Sequence, residues 1–248
     1  MGLMLNFPHS SAFRHLNNAT RKVLHRFERS FQDERRYREW LANHETTFER
    51  WAGGLSQALC REALEFEKEL YAYAQSQEFP SHMGGNAYVR LLYFLARYIQ
   101  PETAVETGVS IGYSSQAILS ALSQNGRGHL YSSELQYLHG QESHKYIGLL
   151  VNPDFKDRWT LLTQGDRINL AQIAKQVRRI NLFHYDSDKS ISGRIFACNM
   201  ALDRMSEGDV IVLDDVNDND HLLALSKLID RPPTVFSTRY KSIGLFML

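Results

Sequence analysis

Between residues 13 and 78, apolar positions return at spacings of three and four, with Phe27, Phe31, Trp40, Leu41, Phe48 and Trp51 set among charges of both signs. That period predicts amphipathic helices. The pattern breaks at Gly53-Gly54 and resumes over 55–74, and the stretch from Phe79-Pro80 to Gly84-Gly85 has the composition of a boundary. Beyond it the period changes. A helix is expected over 87–99, stopping before Pro101. Short apolar runs near 103–107, 128–133, 158–163, 181–185 and 208–214 then alternate with helical segments. Such alternation predicts a parallel sheet with helices on both faces. The last two β-rich runs, 234–239 and 243–248, are joined by only a few residues. Parallel neighbours cannot be joined so briefly, so this pair is expected to be an antiparallel hairpin. The expected architecture is a doubly wound α/β fold: a mostly parallel seven-stranded sheet, closed by that hairpin and preceded by an α-helical region. Residues 1–83 would form a helical arm or cap and 84–248 a Rossmann-like domain.

Composition narrows the partners. The chain has 248 residues, 43% of them apolar and 23% charged, which is ordinary for a globular protein. Its formal net charge is zero, so no long-range field draws it to nucleic acid or to an anionic membrane. No Lys/Arg stripe with interleaved aromatics marks a nucleic-acid groove, and the apolar run near Gly244 is far too short to span a bilayer. The N-terminus lacks the pattern of a secretory signal, and Cys60 and Cys198 form no CxxC pair. A reduced, cytoplasmic protein is expected. Its partner would be a small-molecule substrate, and the aromatic-rich N-terminal helices would cover the substrate side or pair subunits into a homo-oligomer.

Four elements carry candidate chemistry, all at the C-terminal ends of the expected strands, where open α/β sheets bind ligands. The first is the turn in AVETGVSIGYSS, residues 104–115, where Gly108 and Gly112 allow a tight strand-to-helix turn and Ser114-Ser115 open a helix. The second is Glu134, 22 residues beyond Gly112, placed to accept hydrogen bonds from ribose hydroxyls. The third is Asp166, after Gly165, which suits an adenine amino group or simply a helix cap. The fourth is a cluster of acids, Asp186, Asp188, Asp214 and Asp215, near one rim. Clustered carboxylates repel unless something positive lies between them. A hard divalent cation such as Mg2+ suits an all-oxygen site, with Asp186, Asp214 and Asp215 as the preferred ligands. The alternative is that Asp214 and Asp215 cap the next helix while Asp186 pairs with Lys189. His184, on the same strand face as Asp186, is expected to be a buried, hydrogen-bonded histidine rather than a ligand.

Taken together, ETGVSIGYSS, the acid of YSSEL, the GD of TQGD, YDSDKS, VLDDV and the terminal hairpin resemble a class I S-adenosylmethionine-dependent methyltransferase over roughly residues 84–248. The resemblance is to metal-dependent small-molecule O-methyltransferases of the catechol and antibiotic-sugar types. It implies S-adenosylmethionine as cofactor, with Glu106, Thr107, Gly108, Gly112, Tyr113 and Ser114 around its methionine end. Glu134 would hold the ribose, Asp166 would lie near the adenine, and Asp186 would touch both cofactor and metal. Lys189 would be the catalytic base, with Asp186 beside it. The chain departs from the catechol pattern at Asp215, where that pattern has Asn, and at Ser187, where a cofactor-contacting His is often found. A metal-free methyltransferase and a non-catalytic cofactor-binding or assembly protein stay open as readings.

Overall fold

The computed structural model describes residues 34–83, 87–135, 143–239 and 241–248. Seven strands form one sheet: β1 (Thr103–Thr107), β2 (His129–Ser133), β3 (Trp159–Leu162), β4 (Leu182–Tyr185), β5 (Val210–Leu213), β6 (Thr234–Ser237) and β7 (Ser242–Met247). Their order is β3-β2-β1-β4-β5-β7-β6. The first five strands pair in parallel, and β7 lies antiparallel to both β5 and β6. Each expected strand is present within two residues of its expected limits, and the C-terminal pair is the antiparallel hairpin.

The period-two alternation along the strands separates two apolar layers. Ala104, Leu130, Leu182, Val210 and Val212 face one layer, with α2 (Phe48–Leu55), α3 (Gln57–Gln75), α4 (Val89–Ile99) and α5 (Tyr113–Asn125). Val105, Phe183, Tyr185, Ile211 and Leu213 face the other. There they meet α6 (Asp166–Gln176), α7 (Ile191–Leu202), α8 (His221–Ile229) and, from the N-terminal region, α1 (Glu34–Ala42). The N-terminal helices therefore supply side chains to both layers.

The segment between α1 and α2 also joins the sheet. Thr46 N–H donates to Val235 O at 2.9 Å and Val235 N–H donates to His44 O at 2.9 Å, which covers the outer edge of β6. From α4, Arg90 bonds Glu67 of α3 (2.6 Å) and Glu49 of α2 (3.0 Å), and Glu62 of α3 accepts from Tyr93 (2.7 Å) and Arg97 (2.8 Å).

Two helix limits differ from the sequence pattern. The break expected at Gly53-Gly54 falls instead at Ser56, because α2 runs through both glycines. A side chain on either glycine would meet nothing within 4 Å, so they interrupt no packing. Ser56 is extended (φ −158°, ψ 107°), and its hydroxyl accepts Leu59 N–H to cap α3. The helix expected over 87–99 begins at Val89 and ends where Gln100 turns left-handed (φ 48°) before Pro101. The apolar positions Phe27 and Phe31, and the glycines 84 and 85, lie outside the described residues.

Candidate active site

The loop after β1 is shaped by what surrounds its glycines. Gly108 has φ 81°, and a Cβ there would stand 2.2 Å from Asp186 O. The β1 and β4 strand ends come together through this gap, with Asp186 N–H donating to Thr107 O at 3.0 Å. Gly112 (φ 98°) precedes α5, and a Cβ on it would stand 3.0 Å from Gly148 Cα and Val151 Cγ2. Gly148 N–H and Leu150 N–H then donate to Ser110 O and Ile111 O, so residues 148–151 lie across the turn. Ser110, at the usual middle-glycine position, takes the left-handed conformation itself (φ 48°). Its hydroxyl donates to Met83 O, linking the turn to the end of the helical region.

The acids expected around a nucleoside all sit on this rim, each engaged by the protein. Glu134 accepts Val109 N–H (2.7 Å), Ser110 N–H (2.6 Å) and Leu135 N–H (2.7 Å), so it fastens the β2 end to the glycine turn. Burial pushes its pKa up, against the pull of those N–H groups. Asp166, the first residue of α6, accepts from Ser133 Oγ (2.7 Å) and Ser187 Oγ. Glu106 lies deeper, fully buried, accepting from Ser132 Oγ (2.6 Å) and Ser115 Oγ, and burial raises its pKa to about 7. Its Oε2 has no partner among the described residues. Tyr113 and Ser114 are buried at the start of α5, and the Tyr113 ring meets Tyr71 of α3 edge-on at 5.7 Å.

The rim acids divide three and one. Single carboxylate oxygens of Asp186, Asp214 and Asp215 lie within 4.8 Å of one another. Asp188 turns to α7 instead: it accepts Ser190 N–H at 3.0 Å, and its carboxyl group fills the space above Gly193. Lysines stand among the trio. Lys189 Nζ pairs with Asp186 and, at 3.2 Å, with Asp215, while Lys241 Nζ pairs with Asp214. Burial pushes the Lys189 amine down, but Asp186, Asp214 and Asp215 together hold it above its ordinary value. Burial raises the Asp214 pKa and Asp186 adds to it, against the pull of both lysines. Of the alternative in which Asp186 pairs with Lys189 while Asp214 and Asp215 cap the next helix, the ion pair is present, but α8 starts at His221 after Asp220 and is not capped by either acid. His184 is buried (2% exposed), and burial takes its pKa down to about 4. It is buried as expected, and its Nδ1 has no hydrogen-bond partner among the described residues.

Three residues that the sequence pattern did not single out hold this rim. Asn169 is fully buried and donates to Ser133 Oγ, Glu134 O and Leu162 O, tying β2 to β3. Arg194, 1% exposed on α7, donates to Asp214 O (2.9 Å), Asp215 O (3.0 Å) and Lys189 O (3.4 Å). Asp215 is left-handed there (φ 50°). Asn219 Nδ2 also donates to Lys189 O, at 2.7 Å. Asn169 follows Asp166 by one helical turn, the one local cue available. Two clefts, of about 450 and 610 Å3, lie elsewhere, by Glu45–Arg50 and at the opposite, N-terminal ends of the strands.

Residues 105–216, which run from β1 through the acid trio, match the sequence profile of a methyltransferase domain. Over these residues the chain is similar to a methyltransferase domain, and its sheet and terminal hairpin are those of the methyltransferase fold. Solved structures share the fold. An O-methyltransferase from Bacillus cereus, in complex with S-adenosylhomocysteine, is 18% identical, with 86% of this chain and all of that one covered at a TM-score of 0.52. The O-methyltransferase TomG from Streptomyces achromogenes, involved in tomaymycin synthesis and bound to S-adenosylmethionine, is 17% identical over 74% of this chain and 88% of that one, at 0.52. A methyltransferase from Geobacter sulfurreducens gives 17%, 73%, 88% and 0.54 in the same terms. No curated protein matches the chain in sequence. No helix among the described residues is long and apolar enough to cross a membrane.

Proposed function

We propose that this methyltransferase domain binds S-adenosylmethionine along the rim from Glu134 to the glycine turn, and methylates a hydroxyl of a small metabolite with help from a divalent cation. The observation that carries the reading is an all-oxygen acid trio beside the cofactor turn of a methyltransferase fold. Three carboxylates with oxygens within 4.8 Å suit a hard cation such as Mg2+. Asp186, Asp214 and Asp215 would hold it, and it would supply Lewis acidity to a substrate hydroxyl. S-adenosylmethionine would supply the electrophilic methyl group.

The protein's own share is orientation and proton handling. Gly108 and Gly112 let Asp186 and residues 148–151 pack against the turn and fix its shape, and Glu134 Oε1, which accepts a single N–H, has capacity left for a ribose hydroxyl. Lys189 is held charged by the three carboxylates, and in that state it is no base. As a neutral amine beside Asp186 and Asp215, Lys189 Nζ would take the proton from the attacking hydroxyl. Alignment of that oxygen with the methyl group gives the main rate gain.

Asp214→Ala tests this. Calorimetric titration with S-adenosylmethionine should give micromolar binding to both wild type and variant, while Mg2+-stimulated methyl transfer should vanish in the variant. Turnover that survives the substitution and full chelation removes the metal role and leaves a metal-free methyltransferase. Absence of cofactor binding in wild type removes the whole reading.

A further inference from the structure

We propose that Lys241 is an internal counter-cation that guards the acid trio, so that a divalent cation binds only by displacing its ammonium from Asp214. The inference rests on the cation reading above. Both oxygens of Asp214 are engaged: Oδ1 accepts Asp215 N–H at 3.0 Å, and Oδ2 is taken by Lys241 Nζ. Asp214 is 1% exposed, so any cation reaching it must replace a partner rather than a shell of water. Lys189 already bridges Asp186 and Asp215, so Lys241 closes the remaining member of the trio.

Where Lys241 sits makes displacement feasible. Its backbone is fixed in the β6–β7 turn, with Lys241 N–H donating to Thr238 Oγ1 (3.1 Å) and Thr238 N–H donating to Lys241 O (2.8 Å). Its side chain is 20% exposed and rests on a flexible four-carbon stem. The ammonium can therefore swing to solvent while the strand register stays as it is. Charge explains why a guard is useful. The trio carries three negative charges and the two lysines return two, which keeps the rim together without metal. A second sign of an incomplete site lies beside it. His184, buried on the same strand face as Asp186 and within the electrostatic reach of Asp214, Lys189 and Lys241, leaves Nδ1 unpartnered among the described residues.

The test is Mn2+ binding to the full chain, read by the electron paramagnetic resonance signal of free Mn2+, with no turnover involved. Wild type, Lys241→Met, Lys241→Gln, Lys241→Arg and Asp214→Asn are compared, each checked for cofactor binding to report folding. Losing a charge-assisted bond that the cation must otherwise break should tighten Mn2+ binding about tenfold or more in K241M and K241Q. K241R should keep the wild-type affinity, and D214N should lose binding. Equal or weaker Mn2+ binding by K241M and K241Q, with D214N still defective, overturns the guard role and leaves the cation reading standing. No Mn2+ binding by any of the proteins overturns both.

Discussion

The Glu106 carboxyl sits between the Ser115 and Ser132 hydroxyls with no solvent contact, and burial lifts its pKa from 4.5 to about 7. An acid whose folded pKa is raised gives up its proton first in the unfolded chain. Stability is then full below about pH 4.5 and falls as the pH climbs through 7. The loss across that window is about 3 kcal/mol, from 1.36 kcal/mol per unit. Glu106→Gln keeps an acceptor for both serines and cannot ionise, so this part of the pH dependence should disappear. Urea midpoints between pH 5 and 8 would check it, with a variant as pH-sensitive as wild type counting against the argument. Gly108 shows the same local logic in steric form. A side chain there would collide with Asp186 O, so only glycine lets the ends of β1 and β4 meet this closely.

At the scale of elements, α7 does more than cover the sheet. Arg194 reaches from it to the carbonyls of Lys189, Asp214 and Asp215, the loops that present the trio. Arg194→Lys keeps the charge but replaces a planar fork with a single point, which cannot span the same three acceptors. On the cation reading proposed above, Mn2+ affinity should fall about tenfold, while S-adenosylmethionine affinity holds within about twofold. Equal losses of both would mean a general collapse of the rim instead. The strands and the trio were legible in the sequence because apolar runs end in acids at consecutive strand ends. Lys241 was not, since it lies 27 residues from Asp214 and meets it only through β5–β7 pairing, where Leu213 opposes Gly244. Arg194 was hidden in the same way, its carbonyl partners at 214 and 215 lying 20 and 21 residues away. The helix limit at Ser56 was misread because glycine in an exposed helix costs only about 1 kcal/mol, too little to end it.

Across the whole molecule, the N-terminal helices and the sheet share their apolar layers. Tyr37 and Leu41 of α1 lie in the layer of α6–α8, while Phe48, Ala52, Ala63 and Leu70 lie in that of α4 and α5. Tyr37 Oη also donates to Val216 O at 2.6 Å, directly after the acid pair, and Thr46 covers β6. A cap that merely rested on a finished domain would open at low cost and leave the sheet protected. Here, opening it would uncover buried side chains on both faces, the β6 edge and the loop bearing Asp214 and Asp215. Helices α1–α3 and the central strands should therefore open in one cooperative step. Native-state hydrogen exchange would test this directly. Amides of α3 and of β1 should report the same opening free energy, and the same denaturant dependence as the global transition. Amides of α1–α3 exchanging at much lower free energy than β1, with cofactor binding retained, would instead make residues 34–83 a separable cap, and the rim would then owe its order to the sheet alone.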